Sequence, residues 1–282
     1  MTTPELSGTA SNLKTAMKRR AFLTTSLTAS AAAGLGTLAR PATAAEPAAG
    51  GREYYELRAY RLKAGADHSL LDAYLEKALI PALNRLGSRP VGAFTEIDPK
   101  DGQAVYVLIP YASLDAFGSA PTRLSRDAAY LQSGADYLQT PKDKPGFDRI
   151  DSWLMLAFVG LPKIELPPYC RERKPRIFEF RTYESYSETK AQKKVDMFNA
   201  GEIETMREVG LGPIFYGQTL LGRDLPHLMY MTSGENLEVH GQHWKAFGDH
   251  PVWKKLLADP QYADTVSKAV KRMLQPTAFS QI

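Results

Sequence analysis

Tyr55-Glu56-Leu57-Arg58-Ala59-Tyr60 returns later in the chain as Phe178-Glu179-Phe180-Arg181-Thr182-Tyr183. Glu56 meets Glu179 at a spacing of 123 residues, and the same spacing carries Gly87 onto Gly210, Pro90 onto Pro213 and Leu114 onto Leu237 without a gap. A constant offset over that length marks an internal repeat, so the chain holds one unit twice. Within each copy the pattern has period 2, with Leu57 and Ala59 on one face and Glu56, Arg58 and Tyr60 on the other. The stretch therefore reads as a strand with one apolar face and one charged, aromatic face.

Working outward, the first copy predicts a strand over 54–62 and a helix with the apolar stripe Leu71, Tyr74, Leu75, Ala78, Leu79, Leu83 and Leu86. Pro81 falls inside that helix and is expected to kink or break it. Strands over 91–97 and 104–109 flank a Pro- and Asp-Gly-bearing hairpin loop, helical pieces follow at 113–117 and 126–138, and a last strand covers 150–159. The second copy repeats the plan with strands over 177–186, 214–221, 228–232 and 270–279. Strand, helix, strand, strand, helix, strand is the ferredoxin-like order. The class is α+β: two tandem ferredoxin-like (βαββαβ) domains, 52–160 and 176–282, joined by a Pro-rich linker at 161–175. Each leaves one sheet face open, and stacking the two faces predicts a dimeric α/β-barrel made within one chain.

Residues 1–45 read as an export signal. Arg19-Arg20 stands directly ahead of Phe22-Leu23, a mild Ala- and Thr-rich apolar run follows, and Ala42-Thr43-Ala44 supplies a small-x-small cleavage site. Paired arginines in that position predict the twin-arginine route and a periplasmic or secreted protein, with Met17 as a second candidate start. The apolar run is too short to span a membrane. The formal charge of +4 comes from 35 basic and 31 acidic residues; the segment 1–45 carries five of the bases and one of the acids, leaving 30 of each. A balanced mature chain gives no reason to expect nucleic acid as a partner. Cys170 is the only cysteine, so no internal disulfide can form, as expected of a protein folded in a reducing compartment before transport.

The Glu-x-Arg-x-Tyr strand, the Gly-x-x-Pro turns (Gly87 to Pro90, Gly210 to Pro213), and Trp244-x-x-Phe247 followed by Asp249-His250-Pro251-Val252-Trp253 resemble the NIPSNAP family. The resemblance covers both copies, with the second the better match; the Trp-x-x-Phe and Pro-x-Trp positions are not evident in the first. It implies the dimeric α/β-barrel fold, shared with small monooxygenases, haem-degrading enzymes and chlorite dismutases. It implies no reaction and no particular cofactor.

Glu56, Arg58, Tyr60, Glu179, Arg181 and Tyr183 are the candidate ligand-binding residues. With the apolar alternates needed against the helices, these six are expected to face the space between the sheets, where buried charge must be paired. Either they neutralise one another as a structural network, or they leave donors for an acidic or carbonyl-bearing ligand. His240 and His243 stand at i, i+3 on a helix expected in the outer layer, with His250 a few residues on, and with only Glu238 and Asp249 as acids at ligand spacing they are read as no metal site. His227 opens a strand but has Ala104 as its counterpart, and His68 reads as a solvated cap, so no histidine is expected to lie clearly inside. Trp244, Phe247 and Trp253 read as core packing. Cys170 is a poor nucleophile, although Arg171 and Arg173 beside it could lower its pKa. The expected function is binding of a small molecule or protein partner in or around the barrel, with a homo-oligomer left open. The alternative is a monooxygenase-like or isomerase-like enzyme acting on a small acidic or aromatic substrate.

Overall fold

The computed structural model describes residues 51–282 apart from 64, 100 and 101, so the export signal read in 1–45 lies outside the described residues. The strands are β1 (Tyr54–Arg61), β2 (Gly92–Glu96), β3 (Ala104–Tyr111), β4 (Arg149–Ala157), β5 (Ile177–Glu184), β6 (Gly212–Leu221), β7 (His227–Gly234) and β8 (Lys268–Pro276). They close into one antiparallel barrel in the order β1-β3-β2-β8-β5-β7-β6-β4. Each half is a ferredoxin-like sheet, but the two do more than stack. Phe94 pairs with Pro276 where β2 meets β8, and Ala157 pairs with Gly217 where β4 meets β6. Among the described residues, closure leaves no exposed sheet edge to template further pairing.

The helices are α1 (Ser69–Tyr74), α2 (Ile80–Arg85), α3 (Leu114–Leu124), α4 (Ala128–Ser133), α5 (Ala135–Leu138), α6 (Pro168–Arg171), α7 (Glu188–Met197), α8 (Ile203–Glu208), α9 (Leu237–Asp249) and α10 (Pro251–Ala258). Between α1 and α2 runs a π-helical turn, Leu75–Leu79; between α7 and α8 runs another, Phe198–Glu202, at the same 123-residue offset. Pro81 stands in the first turn of α2 and does not break the helix; the second copy has Glu204 at that position, and its own wide turn holds Gly201 at φ 135°. The two helices end on Gly87 and Gly210, whose φ values of 93° and 87° lie in the left-handed region that favours glycine.

The barrel reverses the facing expected of the repeated strand. Tyr55, Leu57 and Ala59 join Phe178, Phe180, Phe215 and Met231 in one apolar core inside the barrel, with the Tyr55 and Phe215 rings 5.3 Å apart and Phe94 and Phe178 4.9 Å apart. Tyr60 instead packs with Leu71, Leu75 and Leu79 beneath the helices, and Tyr183 joins the corresponding layer of the second half. An eight-strand barrel is narrow enough to be filled by its own side chains, and apolar groups fill it at least cost. The charged alternates then lie under the helices, where a long arginine can keep part of its head in water.

The Pro-rich segment 161–175 is packed against one end of the barrel. Ile164, Leu166 and Tyr169 lie on the barrel core and Cys170 is buried within it. Burial pushes the Cys170 thiol up, so Arg171 and Arg173 do not activate it; its neighbour is the Ser233 hydroxyl, 3.8 Å away.

Candidate functional site

In the second half, Glu179 is almost wholly buried and its carboxylate collects four contacts. Arg181 Nε donates to Oε1 at 2.7 Å and Nη2 lies 2.6 Å from the same oxygen, while His240 Nε2 meets Oε2 at 2.7 Å and Trp244 Nε1 donates to that oxygen too. Burial would raise the Glu179 pKa, but the bonds from His240 and Arg181 outweigh it and hold the carboxyl below its usual range. Arg181 also lies over the Trp244 ring at 3.7 Å and donates to the Tyr183 hydroxyl at 2.9 Å, which shares a 2.9 Å hydrogen bond with Tyr230. The chain Glu179, Arg181, Tyr183, Tyr230 is thus a hydrogen-bonded network capped by α9, whose His240 keeps a buried Nδ1 without a hydrogen-bond partner.

Two readings of α9 are corrected. His240 is buried on the sheet, not in the outer layer, and Trp244 binds the network as well as packing. Room for the His240 ring comes from Gly234, where a Cβ would meet His240 Nδ1 at 2.8 Å. In the first half, by the 123-residue offset, Gly234 becomes Tyr111, His240 becomes Phe117 and Trp244 becomes Pro121. There Arg58 forks onto both oxygens of Glu56 at 2.7 and 3.0 Å, and Tyr111 (3.1 Å) and Ser152 (3.0 Å) donate in place of the imidazole and indole. Each copy therefore brings its own Glu, Arg and Tyr together, in two separate clusters on the outside of the barrel wall.

A second buried pair escaped the sequence reading. Lys194 Nζ lies 2.8 Å from Glu202 Oε2 beneath the π turn, both side chains nearly inaccessible, with the ammonium 4.6 Å from the Phe198 ring centre. Their counterparts in the first half are Leu71 and Leu79. An i, i+8 spacing puts Lys194 and Glu202 near one helix face, but their direct meeting depends on the π turn between them, which leaves no signature in the pattern.

Both halves carry open space beside the first helix, and the larger space is in the first half. A cleft of about 700 Å³ lies between α1, the ends of β2 and β3, and the segment 275–279. Leu62, Ile97, Val105 and Phe279 form its apolar lining, and His68, Asp72 and Glu76 line it at successive i, i+4 steps. His68 Nδ1 is 2.8 Å from Asp72 Oδ2, an ion-pair distance off the line of a hydrogen bond, and buried Asp72 Oδ1 has no partner. Burial pushes the Asp72 carboxyl up, against the pull of His68. No Lys or Arg is among the described residues that line the cleft. His68 sits at the helix cap as expected, with its side chain 41 % exposed.

The other histidines separate. His243 lies against Gly210, His250 pairs with Glu208 at 3.3 Å, and among the described residues no three His, Cys, Asp or Glu side chains gather to hold a metal. His227, read as outside the shared plan, turns into the end of the barrel and is almost fully buried, with Nδ1 against the Asp224 carbonyl at 2.9 Å.

A closed barrel of two ferredoxin-like halves, each with a Glu-Arg-Tyr cluster under its helices, defines a dimeric α/β-barrel protein made from one chain. It belongs to the NIPSNAP family, whose model matches residues 55–141 and 178–281. Among solved structures, a candidate monooxygenase from Fusobacterium nucleatum is similar at 12% identity and a TM-score of 0.52, covering 80% of this chain and 93% of its own. Another candidate monooxygenase, from Lactobacillus acidophilus, is similar at 10% identity and a TM-score of 0.52, covering 80% and 94%. At these identities the likeness shows the fold. An uncharacterised NIPSNAP-like domain protein from Burkholderia xenovorans is 22% identical over 38% of this chain and 89% of its own, with a TM-score of 0.34. Comparison with curated proteins finds no match.

Proposed function

We propose that this NIPSNAP protein is exported by the twin-arginine route and binds a small molecule in the 700 Å³ cleft of its first half. The observation that carries the binding reading is the cleft itself: its volume falls in the range of small-molecule sites, and apolar walls converge on a few polar groups. Its chemistry turns the expected ligand around. Asp72 and Glu76 among the lining residues favour an apolar or aromatic body bearing a cation or hydrogen-bond donors, rather than an acidic substrate. In this reading the six strand residues serve as scaffold, since their charges are met within each half. An enzymatic version rests on the His68 and Asp72 pair, an imidazole and a carboxylate able to move a proton at the cleft wall.

The test uses dansylcadaverine, an aromatic body on a primary amine. Its fluorescence should rise on binding to the wild-type protein, and Asp72→Asn should weaken the affinity by about tenfold, equivalent to ~1.4 kcal/mol. Because the Asp72 carboxyl is raised, binding should strengthen as pH climbs through that raised pKa and the carboxylate forms. No binding by the wild type, or equal binding by the variant, would overturn the assignment. For export, a reporter fused after residue 50 should leave the cytoplasm, and changing Arg19 and Arg20 to lysine should stop it; continued export would remove the twin-arginine reading.

A further inference from the structure

The barrel end opposite the Pro-rich segment is built differently from the rest of the interior. Inward positions along β7 run Met231, Met229, His227, so the apolar core gives way to an imidazole at the rim. His227 lines a cavity of about 150 Å³ together with the bases Arg61, Arg223 and Lys268 and the acids Glu184 and Asp224. At roughly 30 Å³ per water, that is room for a molecule of only a few heavy atoms.

Two features make this rim a site. His227 Nδ1 faces a backbone carbonyl, which can only accept, so Nδ1 carries the proton and Nε2 in the neutral ring is a bare acceptor. Burial pushes the His227 pKa down and favours that neutral ring. Nε2 is buried without a hydrogen-bond partner. A buried acceptor left alone is costly, so a donor belongs there. The second feature is charge. Arg61 Nε and Arg223 Nη2 share a single oxygen, Asp151 Oδ2, at 3.0 and 3.1 Å, whereas Lys268 has Glu184 at 2.8 Å and Arg272 has Glu96 at 3.3 Å. The cluster around Asp151 thus holds two cations on one carboxylate, while Asp224 is exposed to water at the rim.

We propose that this barrel mouth binds a small hydroxy-carboxylate: the carboxylate meets Arg61 and Arg223, and the hydroxyl donates to His227 Nε2. The site is separate from the first-half cleft and stands or falls without it. Lactate and propionate differ by the hydroxyl alone and serve as probes for the full-length protein in calorimetric titrations.

Lactate should bind the wild type at least tenfold more tightly than propionate. His227→Phe should erase that preference, and Arg223→Gln, at a largely exposed side chain, should weaken both ligands. The ¹⁵N resonance of His227 Nε2 in the wild type should shift with lactate and stay put with propionate, a reading that survives even if His227→Phe fails to fold. Absence of lactate binding at 10 mM, equal affinity for the two acids, or an unmoved Nε2 resonance at saturating lactate would each overturn the proposal.

Discussion

Arg181→Ala should destabilise the protein by about 3–5 kcal/mol, because it leaves a buried carboxylate without its counter-charge. Glu179 is 1% exposed, and after the change only His240 and Trp244 would remain to face it. Arg181 also covers the Trp244 ring, so some packing is lost with the charge. Urea unfolding of the variant beside the wild type measures the difference. The sign with pH follows from the lowered Glu179 pKa. Its contribution is fully present above the unfolded value near 4.3 and is lost as pH falls through the depressed folded value, so the two proteins should converge in acid. A loss below about 1 kcal/mol at neutral pH would put Arg181 in the class of solvent-screened surface pairs and undo the closed-network account.

The pair beneath the π turn offers a sharper comparison, since the protein contains both solutions to one position. Lys194→Leu alone strands Glu202 in a dry layer and should cost about 3–5 kcal/mol. The double change Lys194→Leu with Glu202→Leu copies Leu71 and Leu79 of the first half, and replacing a buried ion pair by packed apolar groups is often neutral or stabilising by about 1–4 kcal/mol. The double variant should therefore recover most or all of what the single one loses. Burial raises the Glu202 pKa, first against Lys194 and then more freely without it. In the single variant the folded state holds the Glu202 proton up to a raised pKa, so its stability should fall as pH rises through the window above about 4.5. A double variant as unstable as the single would show that the π turn itself needs the ion pair.

The repeat, its period of 2 and the order of elements were enough to reach the architecture, because each is a local regularity that any chain must satisfy in its own neighbourhood. Strands expected at 91–97 and 104–109 are found as β2 and β3, and the motifs at Gly87 and Gly210 end both first helices. Which face of the repeated strand turned inward was not local. Alternation separates Leu57 from Arg58 but does not say what lies on either side, and the narrow bore of a closed eight-strand barrel decided that the apolar face goes in. The same holds for the sites. His68, Asp72 and Glu76 at i, i+4 steps could have been noticed as one helix stripe, yet the cleft beside them exists only because residues 275–279 arrive from the far end of the chain.

The sequence by itself determined that this protein is two copies of one ferredoxin-like unit of the NIPSNAP type, since that information is written in spacing and pattern. Tertiary structure alone decided that Glu179 meets His240, that Asp151 holds both Arg61 and Arg223, and that His227 looks into the barrel mouth. Those pairings join residues 61, 72 and 90 positions apart or depend on the parity of a strand end, and a pairing across such distances is set by where whole sheets close, which no window of sequence contains.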